Sequence, residues 1–364
     1  MGTIHHDDDP SGSTMRMRAV GTATPGAAPG RRTPRRIGEG IRAGARRALA
    51  LLTLASLVLP AGACGTAAAS GSSTSTGTIR VAYLSTANYL TTVKDESFLS
   101  STMSPYKAEF SGPYNPPDDA YKVVLAGRAD TSSTGTGYFV DLISQKAPWI
   151  AYAIEYYDGD SQGIVAAPGN GVTSLKQLYG KRIGIDKKGA TGDYIVKAAF
   201  EHAGLDYSKV TLVELSQTDF SAAFSSGKID ALATYDQNLA SAIATPGARL
   251  LVTGKDYDSK NVTLHMVSKS FASAHPDIVR HLYRALKEES DKAAKNPGFI
   301  YDTYRDFGAS ESIIRQVRKF DVPTIMPLDS KGVDMLQDIA DQYQSFGFID
   351  KAPDMKAASL DCSD

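Results

Sequence analysis

Cysteine is almost absent from this 364-residue chain, which contains only Cys64 and Cys362. Two cysteines allow one disulfide at most, so packing has to stabilise the fold. The six histidines are scattered, and none forms a metal-ligand motif with another. Walker, dinucleotide-fingerprint and hydrolase-elbow motifs are also missing. We therefore expect no metal, no cofactor and no catalysis.

The chain also lacks an apolar run long enough to cross a bilayer. Its most apolar segment, Ala48–Pro60, has thirteen residues, which as a helix reach about 20 Å against a hydrocarbon core of roughly 30 Å. Arg46 and Arg47 precede this segment, and small residues follow it. A positive region, a short apolar region and small residues are typical of a secretory signal. We predict that residues 1–63 are a leader and signal peptide and that the protein is exported.

Cys64 directly follows the small residues of this predicted signal. The arrangement resembles the lipobox of bacterial lipoproteins, in which the cysteine carries the lipid. The resemblance implies a protein anchored by Cys64 to the outer face of the cytoplasmic membrane. Residues 64–77 then form a flexible Gly/Ser-type tether. The alternative is secretion without a lipid, since position 61 holds Ala where such boxes usually carry Leu.

The charge left after the leader does not favour nucleic-acid binding. Removing nine arginines and four acids of residues 1–63 from totals of 39 and 40 leaves 30 basic and 36 acidic residues. Phosphate contacts need clustered Lys and Arg, which a mildly acidic domain does not supply. We therefore expect no nucleic-acid binding.

Strand and helix patterns alternate through the rest of the chain. Apolar, β-branched runs predict strands, and segments of helical periodicity lie between them. The clearest strands are Ile79–Leu84, Trp149–Tyr156, Arg182–Ile185 and Val210–Leu215, and the clearest helices are Thr191–Ala203 and Phe220–Ser226. This alternation predicts an α/β fold with helices on both faces of the sheet.

One pattern occurs twice, 100 residues apart. Residues 118–130 (DDAYKVVLAGRAD) are echoed by residues 218–230 (TDFSAAFSSGKID). In each copy a short helix ends at a Gly suited to a left-handed C-cap, and a strand-like run follows the Asp. The repeat predicts two lobes built on one plan.

Several segments together resemble the second lobe of type II periplasmic binding proteins. They are residues 180–194 (GKRIGIDKKGATGDY), 199–206 (AFEHAGLD), 226–231 (SGKIDA), 235–236 (YD) and 273–279 (SAHPDIV). The chain is similar in particular to the SsuA-like group, which serves sulfonate, taurine, nitrate and thiamine-pyrimidine-precursor importers.

The resemblance implies a two-lobe fold with two crossover hinge strands. Lobe 1 is expected at residues 78–165 plus 265–360 and lobe 2 at residues 166–264. The crossovers are expected near residues 163–167 and 262–268.

The resemblance also implies a monomeric solute-binding lipoprotein of an ABC importer. Such a protein captures a small molecule and hands it to permease subunits after hinge closure. Two alternatives stay open. One is a surface ligand-sensing protein without a transporter. The other is an enzyme like the pyrimidine synthases of this fold, although their cysteine run is absent here.

Ligands of open α/β sheets bind beyond the carboxyl ends of the strands. In lobe 2 this places Gly189, Ala190 and Thr191 at the start of a helix, where free N–H groups suit an anion. Tyr194 follows within that helix. Thr191 can instead act only as the helix N-cap. Tyr235 and Asp236 follow the next strand and suit an aromatic or amine ligand, unless Asp236 merely caps its helix.

Two loops of lobe 1 are expected to face the same ligand. One contains Thr134, Gly135 and Thr136, and it can alternatively be a plain Gly-rich turn. The other, after the first strand, contains Thr86 and Asn88. Glu155 and His265 are weaker candidates, because each can be a buried structural residue. Two ligand classes remain open: a sulfonate or other oxyanion at the helix start, and a heteroaromatic or amine at Tyr235 and Asp236.

Overall fold

The computed structural model describes residues 77–363; the predicted leader and Cys64 lie outside that range. The strands are β1 Thr78–Leu84, β2 Lys107–Tyr114, β3 Thr131–Gly135, β4 Trp149–Tyr157, β5 Gln162–Ala166, β6 Arg182–Ile185, β7 Thr211–Glu214, β8 Ala231–Tyr235, β9 Arg249–Thr253, β10 Asn261–Ser268 and β11 Thr324–Met326. The helices are α1 Tyr89–Thr92, α2 Leu99–Met103, α3 Pro117–Leu125, α4 Thr136–Ser144, α5 Thr191–His202, α6 Phe220–Ser225, α7 Asp236–Ala244, α8 Lys269–Ala274, α9 Pro276–Ala293, α10 Gly298–Asp306, α11 Glu311–Val317 and α12 Ser330–Ser345. The predicted strands and helices are confirmed to within one or two residues.

The strands form two sheets, one in each lobe. In lobe 1 the order is β11-β4-β10-β3-β1-β2, and β1 is parallel to β2 and β3 whereas β10 is antiparallel to β3 and β4. In lobe 2 the order is β7-β6-β8-β5-β9, with β6 parallel to β7 and β8. The predicted α/β class and the two lobes are confirmed.

The chain passes between the lobes twice, at positions that differ from the prediction. β4 belongs to the first sheet and β5 entirely to the second, so the first crossover lies at residues 158–161. The second lies at residues 258–260, because β10 belongs entirely to the first sheet. Both lie N-terminal to the expected segments. Those segments are apolar because they are central sheet strands, and the true crossovers are short and polar.

Both faces of each sheet are covered. Along β4, Trp149 and Ala151 face one apolar core while Ile150 and Tyr152 face the other, as the two-residue period of a strand requires. Lobe 2 likewise has two cores, one on each side of β5: Ile164 contributes to one and Val165 to the other. Burial on both faces explains why these strands read as nearly continuous apolar runs.

The internal repeat corresponds to the same ion pair in both lobes. In lobe 1, Asp130 accepts hydrogen bonds from the backbone N–H and the guanidinium of Arg80, which also reaches the carbonyl of Gly127. In lobe 2, Asp230 accepts the same set from Arg182, which reaches Gly227. Each pair joins the end of a helix to the start of the lobe's first parallel strand. The predicted two-lobe plan is therefore confirmed at the level of single hydrogen bonds.

The C-terminal helices connect the lobes from two sides. α11 packs against α7 of lobe 2, while α12 packs against α4 and brings Gln342 to Tyr194 of α5. Cys362 lies in the core of lobe 1, and burial raises the pKa of its thiol to about 12. Among residues 77–363 no helix is both long and apolar enough to span a membrane.

Candidate functional site

A cleft lies between the lobes, where the carboxyl ends of four strands meet. Loops after β1 and β3 line it from lobe 1, and residues after β8 together with the start of α5 line it from lobe 2. Its volume is about 180 Å³, which corresponds to roughly six water molecules. The cleft is therefore sized for a small molecule rather than for a peptide or a nucleic acid.

The lobe 1 wall contains four of the predicted residues: Thr86, Asn88, Thr134 and Gly135. Asn88 caps α1 by accepting a 3.0 Å hydrogen bond from the N–H of Thr91, while its Nδ2 has no partner among the described residues. Thr134 Oγ1 accepts a hydrogen bond from the Tyr121 hydroxyl. An amide with an unused donor is free to bond a ligand, so Asn88 is the more available of the two.

The start of α5 differs from what the sequence predicts. The N–H of Gly192 donates to Asp186 Oδ1 at 2.9 Å, and the N–H of Gly189 donates to Asp193 Oδ2 at 2.8 Å. Two N–H groups that would serve an anionic ligand thus already bind carboxylates of the chain. Burial raises the pKa values of Asp186 and Asp193 above their usual range. Thr191 does line the cleft; its Oγ1 caps nothing and has no partner among the described residues.

Tyr235 and Asp236 lie in the lobe 2 wall, as predicted. The Tyr235 hydroxyl donates to Asp186 Oδ2 at 3.2 Å and accepts from Gln217 Nε2 at 3.0 Å. Asp236 Oδ1 accepts a 2.6 Å hydrogen bond from Asn261 Nδ2, and its N–H donates to the Ser161 carbonyl. The Asp236 side chain makes no capping bond to α7, so the capping alternative is wrong. Burial raises the pKa of Asp236 to about 7.

Four predicted residues do not line the cleft. Thr136 and Tyr194 border a second cavity of about 460 Å³ beside α12. Thr136 is buried there and donates to the Val262 carbonyl, and the Tyr194 ring stacks on Tyr343 at 5.3 Å between centroids. Gly189 and Ala190 line neither cavity.

Glu155 and His265 form a buried chain with Ser133. His265 Nε2 lies 3.0 Å from Glu155 Oε2, and His265 Nδ1 lies 3.0 Å from Ser133 Oγ. Glu155 also accepts the N–H of Tyr89 at 2.8 Å. The three side chains are at most 1% exposed, so they resemble a catalytic triad only in composition. The structural alternative for Glu155 and His265 is confirmed.

Further lining residues were not anticipated from the sequence. Five of them carry carboxamides, namely Asn115, Gln217, Gln237, Asn238 and Asn261, and others are Tyr121, Thr263 and Phe307. Gln237 and Asn238 follow Asp236 directly, so the strand-end rule that located Asp236 also points to them. Asn261 begins β10 and Phe307 directly follows α10, and the sequence holds no comparable signal for either position.

The lobes touch each other beside the cleft. A Cβ atom added to Gly135 in lobe 1 would lie 2.9 Å from Thr191 Oγ1 in lobe 2. Contact this close requires that position 135 carry no side chain, although its backbone conformation is ordinary. Among residues 77–363 no group of three or more His, Cys, Asp or Glu side chains is placed to hold a metal ion.

Comparison with known sequences identifies relatives of this chain. A protein of Bacillus subtilis strain 168 named for the binding of aliphatic sulfonates is 25% identical over 203 residues, which are 54% of this chain and 59% of the relative. The chain thus spans less than two thirds of that relative's length.

Solved structures share the fold. The alkanesulfonate-binding protein SsuA from Xanthomonas axonopodis pv. citri, bound to MOPS, has a TM-score of 0.68 at 18% identity, covering 78% of this chain and 98% of that one. The desulfurization enzyme DSZB has a TM-score of 0.56 at 16% identity, covering 78% and 96%. Because the fold occurs in a binding protein and in an enzyme, it does not decide the activity. The sequence profile of the family described as NMT1/THI5 like matches residues 111–299, more than half of the chain, and the chain therefore belongs to that family.

Proposed function

We propose that this protein is the solute-binding component of an ABC importer, which captures a small molecule between its lobes. The observation that supports this most strongly is a small polar cleft lined by strand-end loops of both lobes, which two short crossovers connect. Ligand contacts on both sides favour the closed state because only that state forms them together. The Bacillus subtilis relative is likewise named for the binding of a small molecule.

Catalysis has less support from the same region. The one Ser, His and Glu chain near the cleft is sealed within the sheet, where a substrate has no access. The cysteine in the described residues is buried with a raised pKa, which disfavours the reactive thiolate. The exposed groups of the lining can bind a ligand without reacting with it.

Membrane attachment is part of the proposal and depends on Cys64. Replacing Cys64 with Ser is expected to release the protein from the membrane fraction and to abolish labelling by a radioactive fatty acid. The matched control is Cys362→Ser, which removes the other cysteine and should leave both membrane attachment and labelling unchanged. A Cys64→Ser protein that still sediments with membranes and is still labelled contradicts the lipid anchor.

Ligand capture is tested by thermal unfolding against sulfonates, taurine, nitrate, pyrimidines and amines. A ligand present at about 100 times its dissociation constant stabilises the protein by about 2.7 kcal/mol. The ligand found is then supplied in labelled form to cells with and without the gene. Loss of uptake in the deletion strain supports an importer, whereas binding without any effect on uptake supports the sensing alternative.

A further inference from the structure

The cleft lining contains no cationic side chain. Among the described residues that line it there is no Lys, Arg or His, and Asp236 is the one carboxylate. The remaining polar groups are hydroxyls and carboxamides, which are neutral. An organic anion entering this cleft would meet no opposite charge, and burial of an unpaired charge is costly.

A second carboxylate lies directly behind the lining. Asp186 accepts hydrogen bonds from the Tyr235 hydroxyl and from the start of α5, and the Tyr138 hydroxyl also lies against it. Asp186 thus occupies the place at the helix start that an oxyanion would take. Lys187, the next residue, does not line the cleft: its exposed ammonium lies 3.6 Å from Asp141 and 5.9 Å from the centre of the Tyr138 ring.

Asp236 retains the capacity to bind a ligand. Its Oδ1 is held by Asn261, whereas Oδ2 has no hydrogen-bond partner among residues 77–363. Its backbone N–H is fixed to Ser161 of the first crossover, and Asn261 begins the strand after the second. Asp236 is therefore positioned by Ser161 of the first crossover and by Asn261 directly after the second. Its carboxylate has one oxygen left, which suits an N–H donor of positive charge.

We propose that the ligand is a small organic monocation whose charged nitrogen donates a hydrogen bond to Asp236; this proposal rests on the solute-binding function proposed above. The neutral donors Asn88 Nδ2 and Thr191 Oγ1 then face hydroxyl or carbonyl oxygens of the same ligand. The volume of about 180 Å³ restricts its size. This class of ligand differs from the sulfonates after which the relatives are named. A negatively charged ligand is disfavoured in the cleft because Asp236 is the one charged residue of its lining.

The test uses the full chain, purified in mild detergent. A bacterial metabolite extract is divided by ion exchange at pH 7.5 into a cation-retained, an anion-retained and an unretained fraction, and organic sulfonates form a fourth sample. Thermal unfolding is followed with each. The cation-retained fraction alone is expected to raise the midpoint, and mass spectrometry of the complex identifies the compound for calorimetry.

Asp236→Asn is expected to weaken binding of the identified cation by about 10- to 100-fold. The variant replaces the charged carboxylate acceptor of the hydrogen bond by a neutral amide. Asn also tolerates the backbone at this position, where φ is +50°. The control Glu201→Gln removes one charge from the exposed far end of α5 and should leave affinity unchanged.

Stabilisation by the anion-retained fraction, the unretained fraction or the sulfonates alone overturns the monocation and leaves the solute-binding function standing. Stabilisation by no sample overturns both. Unchanged affinity in Asp236→Asn overturns the role of Asp236.

Discussion

Replacing Asp236 with Asn should make the ligand-free protein more stable above pH 7. Burial raises the pKa of Asp236 from 3.8 to about 7. Between these two pH values the unfolded chain carries an ionised carboxylate while the folded protein retains the proton. The unfolded state binds fewer protons there, so wild-type stability falls as pH rises from about 4 to 7 and levels off above 7.

The size of this effect follows from the shift. One pKa unit corresponds to about 1.36 kcal/mol, so three units set an upper limit of about 4 kcal/mol at pH 8. The Asn side chain keeps an oxygen that can accept the hydrogen bond from Asn261. We compare the free energy of unfolding of Asp236→Asn with that of wild type. The difference in favour of the variant is expected to be up to about 4 kcal/mol larger at pH 8 than at pH 4. A group that destabilises the empty protein is typical of a binding site.

The assay is urea unfolding of both proteins at several pH values from 4 to 8.5, and the measured quantity is the difference in free energy of unfolding. Glu289→Gln is the matched control. Burial also raises the pKa of Glu289 to about 7. Glu289 lies in α9, away from the cleft, so its variant should show a similar pH dependence and unchanged ligand binding. A difference between wild type and Asp236→Asn that does not vary with pH refutes the reasoning.

Three further predictions concern closure, the repeated ion pair and the buried thiol. Gly135→Val should hold the lobes apart, because its side chain meets Thr191 Oγ1; small-angle scattering should show a larger radius of gyration, and adding Thr191→Ala should reverse part of the change. In urea unfolding, Asp130→Ala should lower the free energy of unfolding by about 2 kcal/mol and Asp230→Ala by about 1 kcal/mol. Charged hydrogen bonds stabilise more when they are buried, and the Asp130 and Asp230 side chains are 8% and 19% exposed. Equal losses would contradict this reasoning. Cys362 should react with a thiol reagent only after unfolding, because it is 1% exposed.

The elements were predictable because their signals are local. Each strand is a short apolar run and each helix a periodic segment, and a strand or helix forms where its own residues favour it. Arg182–Ile185 matches the strand in the structure residue for residue. The strand-end rule likewise located Thr86, Asn88, Thr134, Gly135, Thr191, Tyr235 and Asp236 in one cleft.

The errors arose where a long-range partner decides what a local group does. The start of α5 looked open to an anion, but Asp186 folds back onto the N–H of Gly192. Tyr194 looked available, but α12 brings Tyr343 to stack on it from 149 residues further along the chain. No spacing within α5 reveals either partner.

The sequence alone therefore determined the α/β class, which follows from local periodicity, and the two-lobe plan with facing strand ends, which follows from the repeat together with the family resemblance. Only the tertiary structure decided the chemistry of the cleft. It brought Asn261 and Phe307 into the lining, filled the helix start with a carboxylate and left Asp236 as the lining's one charge. Charge and hydrogen-bond partners are set by which distant segments meet, and that depends on how both lobes pack.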